Sequence, residues 1–141
     1  IIATRSSISG AAGGCQAEIG SASSMAAGAL TYLQGGNCEQ IATAAAMAMK
    51  NLLGLVCDPV AGLVEVPCVK RNVIGTVNAM ACADMAMAGI VSRIPPDQVM
   101  DAMKEVGDKM DASLRETALG GLAQTDEGMK IAEKMHASYE N

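Results

Sequence analysis

The residues of this chain best suited to chemistry are its five cysteines, Cys15, Cys38, Cys57, Cys68 and Cys82. An odd number argues against a closed disulfide framework. Cys38 and Cys82 sit among Ala and Met at helical spacing and read as buried free thiols. The other three have different surroundings. Cys15 follows the glycine-rich run Gly10-Ala11-Ala12-Gly13-Gly14 at the start of a helix. Backbone N–H groups and the positive helix end favour a thiolate there. Cys57 and Cys68 bracket a stiff loop, each near a proline, in Cys57-Asp58-Pro59 and Pro67-Cys68. Three convergent thiolates can hold zinc or a corner of an iron–sulfur cluster, with one metal position left open as a Lewis acid for a hydroxyl or carboxylate. The intervals of 42 and 11 residues match no compact Cys-x-x-Cys signature. Spacing alone therefore leaves metal binding, buried thiols and redox chemistry all open. The single histidine, His136, falls on an exposed terminal helix and is not expected to be a fourth ligand.

Proton-transfer candidates are few. Glu18 lies one turn after Cys15, and Asp58 adjoins Cys57, where it also suits a role in orienting its own loop. Lys70, Arg71 and Asn72 follow Cys68 directly. They read either as surface polarity at a helix start or as contacts to a substrate carboxylate or a cluster, where a basic group offsets thiolate charge. Asp84, within an apolar helix, reads as an exposed or locally paired acid.

The elements that must position these groups are helical. Half of the 141 residues are hydrophobic, yet the aromatics are two Tyr, with no Trp or Phe, while Met contributes 11 and Gly 15. Small and flexible side chains suit closely approaching helices and disfavour a sandwich or barrel. The expectation is an all-α, Ala/Met-rich domain of about five or six helices, with an ordered apolar loop between Cys57 and Cys68. A helix is predicted from about Gln16 to Leu33, closed by Gly35-Gly36. A second starts after Asn37, with Gln40 completing a capping box, and ends near Gly54. A third runs from about Val69 or Asn72 to Val91. An amphipathic fourth spans Asp97 to about Leu114, with Val99, Met103, Val106 and Met110 on one face. Thr117 to Gln124 reads as a turn, and Thr125 caps a last helix reaching about Ser138. The net charge of −5 gives no basic footprint for nucleic acid. No apolar run approaches the roughly 20 residues of a membrane span, so a soluble, cytoplasmic protein is expected. The start, Ile1-Ile2-Ala3-Thr4-Arg5, lacks an initiator Met, which suggests a processed chain or a fragment.

Several stretches carry a family resemblance. They are Gly13-Gly14-Cys15-Gln16-Ala17-Glu18-Ile19-Gly20, Ser23-Ser24-Met25-Ala26-Ala27, the whole of Gly54 to Cys68, Lys70-Arg71-Asn72, Ala83-Asp84-Met85-Ala86 and Gly120-Gly121-Leu122-Ala123. Together they resemble the C-terminal part of the catalytic alpha domain of iron–sulfur-dependent L-serine dehydratase (L-serine deaminase), over about Ser9 to Lys134. One departure is Thr125-Asp126-Glu127-Gly128, where the family usually reads Thr-Pro-x-Gly. Asp and Pro both suit the first turn of a helix. The resemblance implies that Cys15, Cys57 and Cys68 hold a [4Fe–4S] cluster, lost from material prepared in air, and that Cys38 and Cys82 are bystanders. It implies β-elimination of water from L-serine without pyridoxal phosphate, giving pyruvate and ammonia, as in amino-acid degradation and gluconeogenesis. The open iron would bind the substrate hydroxyl, and a base would take the α-proton. Lys70, Glu18 and Asp58 are weak candidates for that base. Residues 1–141 then form a single helical domain, the C-terminal part of a larger catalytic domain. Its expected partners are L-serine, the preceding part of the enzyme, a beta domain or subunit, and further copies of itself. The fragment would be inactive alone. The alternatives are a related iron–sulfur lyase for another small amino acid, such as a cysteine desulfidase, or a non-catalytic helical module with inert thiols.

Overall fold

A computed structural model describes residues 1–139. Among these the protein is all-helical. Two single turns, α1 (Ile2–Arg5) and α2 (Gly10–Gly13), precede a π-helical turn at Gln16–Gly20. Five longer helices follow: α3 (Ser21–Leu33), α4 (Cys38–Lys50), α5 (Cys68–Met87), α6 (Pro96–Lys109) and α7 (Asp126–Tyr139). No described helix is long and apolar enough to cross a membrane.

The centre is a three-helix packing of α3, α4 and α5. Its core consists of Ala27, Ala44, Met47, Ala48, Ala79, Cys82 and Ala86. Alanine and glycine let the backbones approach, and polar groups then bond across the gap. Asn78 Nδ2 donates to Ser23 Oγ (2.9 Å) and to the Ala48 carbonyl (2.9 Å), so α5 is tied to both neighbours. Ser23 Oγ donates in turn to the Gly75 carbonyl at 2.7 Å. Such buried groups must be paired. A second core, from Ala46, Met49, Val99 and Met103, fastens α6 to α4.

The local signals hold where they are strong. Asn37 and Gln40 form the capping box at α4, and Thr125 Oγ1 accepts from Gly128 N–H at the start of α7. Helix ends differ more. The segment predicted to start a plain helix at Gln16 opens with the π turn, α4 stops at Lys50, and α6 stops at Lys109 before a separate turn at Ala112–Leu114. The third long helix begins at Cys68 itself, and ends at Met87 because Gly89 takes φ +88°. Cys38 is corrected: it is exposed, since it occupies the first turn of α4 where the chain enters from solvent. Cys82 is buried, as its setting predicts. Asp84 is exposed, and its Oδ1 accepts a 3.4 Å bond from Gln34 Nε2.

Candidate metal centre

The three cysteines in unusual settings meet. The sulfurs of Cys15, Cys57 and Cys68 all lie within 4.8 Å of one another, although they arise from three separate segments. Cys38 and Cys82 are not part of this group.

Each thiol is fixed by bonds from distant chain. Cys15 is held by its neighbour Gln16, a wholly buried amide. The Gln16 N–H donates to Leu55 O (2.8 Å), its Oε1 accepts from Gly54 N–H (2.9 Å), and its Nε2 donates to Met103 O (2.9 Å). Cys57 is held on its backbone. Its N–H donates to Leu114 O and its carbonyl accepts from Glu116 N–H, both at 2.8 Å. Cys68 is set by the first turn of α5, and the loop before it is closed by Val60 N–H donating to Val66 O at 2.9 Å.

Asp58 and Arg71 brace this arrangement from behind. The Asp58 carboxylate is 3% exposed. Its Oδ1 accepts from Arg71 Nη1 at 2.6 Å and its Oδ2 from Leu122 N–H at 2.8 Å. The same Arg71 Nη1 donates to Val56 O at 2.9 Å. Burial works against the Arg71 charge, but Asp58 and then the Cys15 thiol more than offset it, and its pKa is raised. Arg71 is thus a part-buried cation beside the sulfurs. Asp58 is spent on its own loop and on Arg71, so the orienting reading holds for it.

Two of the three thiols resist ionisation. Burial pushes the Cys57 pKa well up, and Cys15, Cys68 and Glu116 push it further. Cys68 is also raised, chiefly by burial and then by Cys15, with Arg71 acting the other way. Burial thus favours the neutral form of Cys57 and Cys68, and a thiol that ligates a metal ionises outright. The donor set therefore fits zinc or an iron–sulfur cluster. His136 is exposed and borders a different hollow, between α7 and Ala61-Gly62, far from a ligand role.

A cavity of about 200 Å³ opens on Cys57 and Cys68, bordered also by Glu18, Asn72 and Glu116. Lys70 is exposed and does not border it. Glu116 was not singled out by the sequence, because Arg115 to Gly121 carries only turn signals there. Its backbone takes φ +65°, unusual for a residue other than glycine. Strain of this kind collects at functional sites.

Comparison with known proteins supplies the context for these thiols. The sequence model of the family described as "Serine dehydratase alpha chain" matches residues 1–123. The chain is 62% identical over 135 residues to "Probable L-serine dehydratase, alpha chain" of Bacillus subtilis (strain 168), covering 96% of this chain and 45% of that one. It is 53% identical over 131 residues to "L-serine dehydratase, alpha chain" of Peptoniphilus asaccharolyticus, covering 93% and 45%. It is 51% identical over 118 residues to "L-serine dehydratase 1" of Escherichia coli (strain K12), covering 83% and 26%. The chain thus spans less than half the length of these curated relatives. With a family match that takes in all three thiols and both flanking carboxylates, the chain belongs to the serine dehydratase alpha chain family.

Proposed function

We propose that this chain carries the cluster-binding part of an L-serine ammonia-lyase, which converts L-serine to pyruvate and ammonia. One observation carries the reading: three thiols from distant positions converge in a chain of this family. Cys15, Cys57 and Cys68 would hold a [4Fe–4S] cluster. When bound, the cluster supplies an iron without a protein thiolate, a Lewis acid for the substrate hydroxyl.

The protein's own residues do the rest. Gln16 and the backbone pairing of Cys57 with Leu114 and Glu116 hold the sulfurs in place before any metal arrives. Arg71 offsets thiolate charge, and Asp58 fixes Arg71. Burial of Cys15 and Cys57 keeps water from the sulfurs, while the half-buried Cys68 and the cavity leave one open approach. Substrate must enter by that approach, past Glu18, Asn72 and Glu116. Lys70 does not border that cavity, and Asp58 is already paired. The remaining part of the alpha chain and a beta domain or subunit would complete the site.

The test is pyruvate formation from L-serine under strict anaerobiosis by the full-length enzyme and its Cys15→Ser variant. Turnover by the wild type, lost in Cys15→Ser together with its iron, is the expected result. Undiminished turnover by Cys15→Ser overturns the reading.

A further inference from the structure

We propose that the outward face of α3 seats a helix from the part of the alpha chain that lies outside this sequence. This contact belongs to assembly, so it stands or falls apart from the cluster and the lyase reading. The 13 residues of α3, Ser21–Leu33, include no charged side chain. A helix that faces water shows polar and charged residues on its outer side. Here that side carries Ala22, Met25, Ala26, Ala29 and Tyr32, all exposed. Met25 is 68% exposed and Tyr32 70%. A trough runs along them. One stretch is bordered by Glu18, Ser21, Ala22 and Ala26, the next by Tyr32 and Ile1. Ile8, Met25 and Ala29 border both stretches, so the trough is continuous. From Ala22 to Tyr32 it follows about 15 Å of helix, room for roughly three turns of an occupant.

Ser21 shows what the occupant must bring. It is 4% exposed, and among the described residues its Oγ has no hydrogen-bond partner. A buried hydroxyl left unpaired is costly, and Ser21 borders the trough. Ser24, the other serine along it, already donates to Ala45 O at 2.9 Å. The occupant therefore supplies one hydrogen-bonding group opposite Ser21 and an uncharged face elsewhere. Ala22, Ala26 and Ala29 repeat at four and three residues, and such small side chains let a second helix come close, as the alanines between α3, α4 and α5 do. Length names the source of that helix. This chain covers 45% of the Bacillus subtilis relative and 45% of the Peptoniphilus asaccharolyticus one, so more than half of each alpha chain lies outside the match. Ile1 and Ile2 also border the trough. Chain joined through Ile1 is thus tethered beside the seat, and a tether raises its effective concentration above that of a separate partner.

The experiment uses the full-length enzyme, together with any beta chain, grown on photo-methionine. This analogue carries a diazirine at nearly the size of methionine. On irradiation it loses N2, and the carbene inserts into a bond of whatever lies against it. Peptide mass spectrometry then identifies the adducts of Met25. The expected adduct joins Met25 to a segment of the same alpha chain outside residues 1–141, and runs at the mass of one chain on a denaturing gel. An adduct to a second copy, to the beta domain or subunit, or to residues 1–141 alone overturns the proposal. A Met25 quenched by water alone also overturns it, because the face is then open to solvent. Ser21→Ala in the same enzyme should lower the melting temperature by about 2–4 °C, since a hydroxyl that has found its partner is lost. An unchanged or raised melting temperature marks an orphan hydroxyl and overturns the proposal. Neither readout involves pyruvate formation. A protein without lyase activity can still give the expected adduct, and an active one can still refute it.

Discussion

At the scale of single residues, burial divides the five thiols by reactivity. Cys38 stands in solvent, whereas Cys82 is enclosed and its pKa is raised by burial, with Lys50 acting weakly against this. Only the thiolate alkylates. Brief iodoacetamide treatment of the native protein at pH 8 should therefore label Cys38 first and leave Cys82 unlabelled, as peptide mass spectrometry will read. Asp58 offers a second test. Its ion pair with Arg71 is largely out of water, and removing one partner of such a pair leaves an uncompensated charge. Asp58→Ala should cost about 3–5 kcal/mol in equilibrium urea unfolding. The identity of the three thiols was legible in the sequence, because glycines and prolines set them apart from the Ala/Met stretches around Cys82. The same reasoning misplaced Cys38, since the first turn of a helix can point its side chains outward whatever the composition nearby. Glu116 could not be read from sequence at all. Its relation to Cys57 is a backbone pairing across almost sixty residues, and such pairings leave no local signal.

At the scale of elements, the helices form where caps and breakers say they should, and the details depend on tertiary contacts. Asn37 with Gln40 and Thr125 with Gly128 were readable because capping is local. The π turn at Gln16–Gly20 was not, because it follows from Gln16 bonding three distant backbone groups. The packing of α5 on the π turn that leads into α3 needs a small residue at the contact. A Cβ on Gly75 would meet Ile19 Cγ2 at 2.8 Å, and that methyl sits on a stiff β-branched side chain. Gly75→Ala gains about 1 kcal/mol of helix propensity but forces an overpacked contact costing about 1–3 kcal/mol. The expected outcome is a lower melting temperature, measured by circular dichroism, with helix content unchanged. A higher melting temperature would show that α5 can shift away from Ile19 at no cost.

At the scale of the whole molecule, the Ala-rich composition predicts surface that these residues cannot cover by themselves, and α5 displays it. Val69, Val73, Ile74, Val77 and Met80 are each more than half exposed along this helix. A stripe this apolar marks an interaction surface. The Bacillus subtilis and Peptoniphilus asaccharolyticus relatives are about twice as long as this chain, so the account gives the cluster ligands to the residues described and shares the rest of the site with other chain. What must be true within these residues is the assignment of the ligands, and one measurement tests it most directly. Iron and acid-labile sulfide per chain should be determined in anaerobically reconstituted full-length enzyme, for the wild type, Cys57→Ser and Cys82→Ser. The account predicts about four of each in the wild type and in Cys82→Ser, and less than about one of each in Cys57→Ser. A full complement in Cys57→Ser, or a loss in Cys82→Ser, would contradict it.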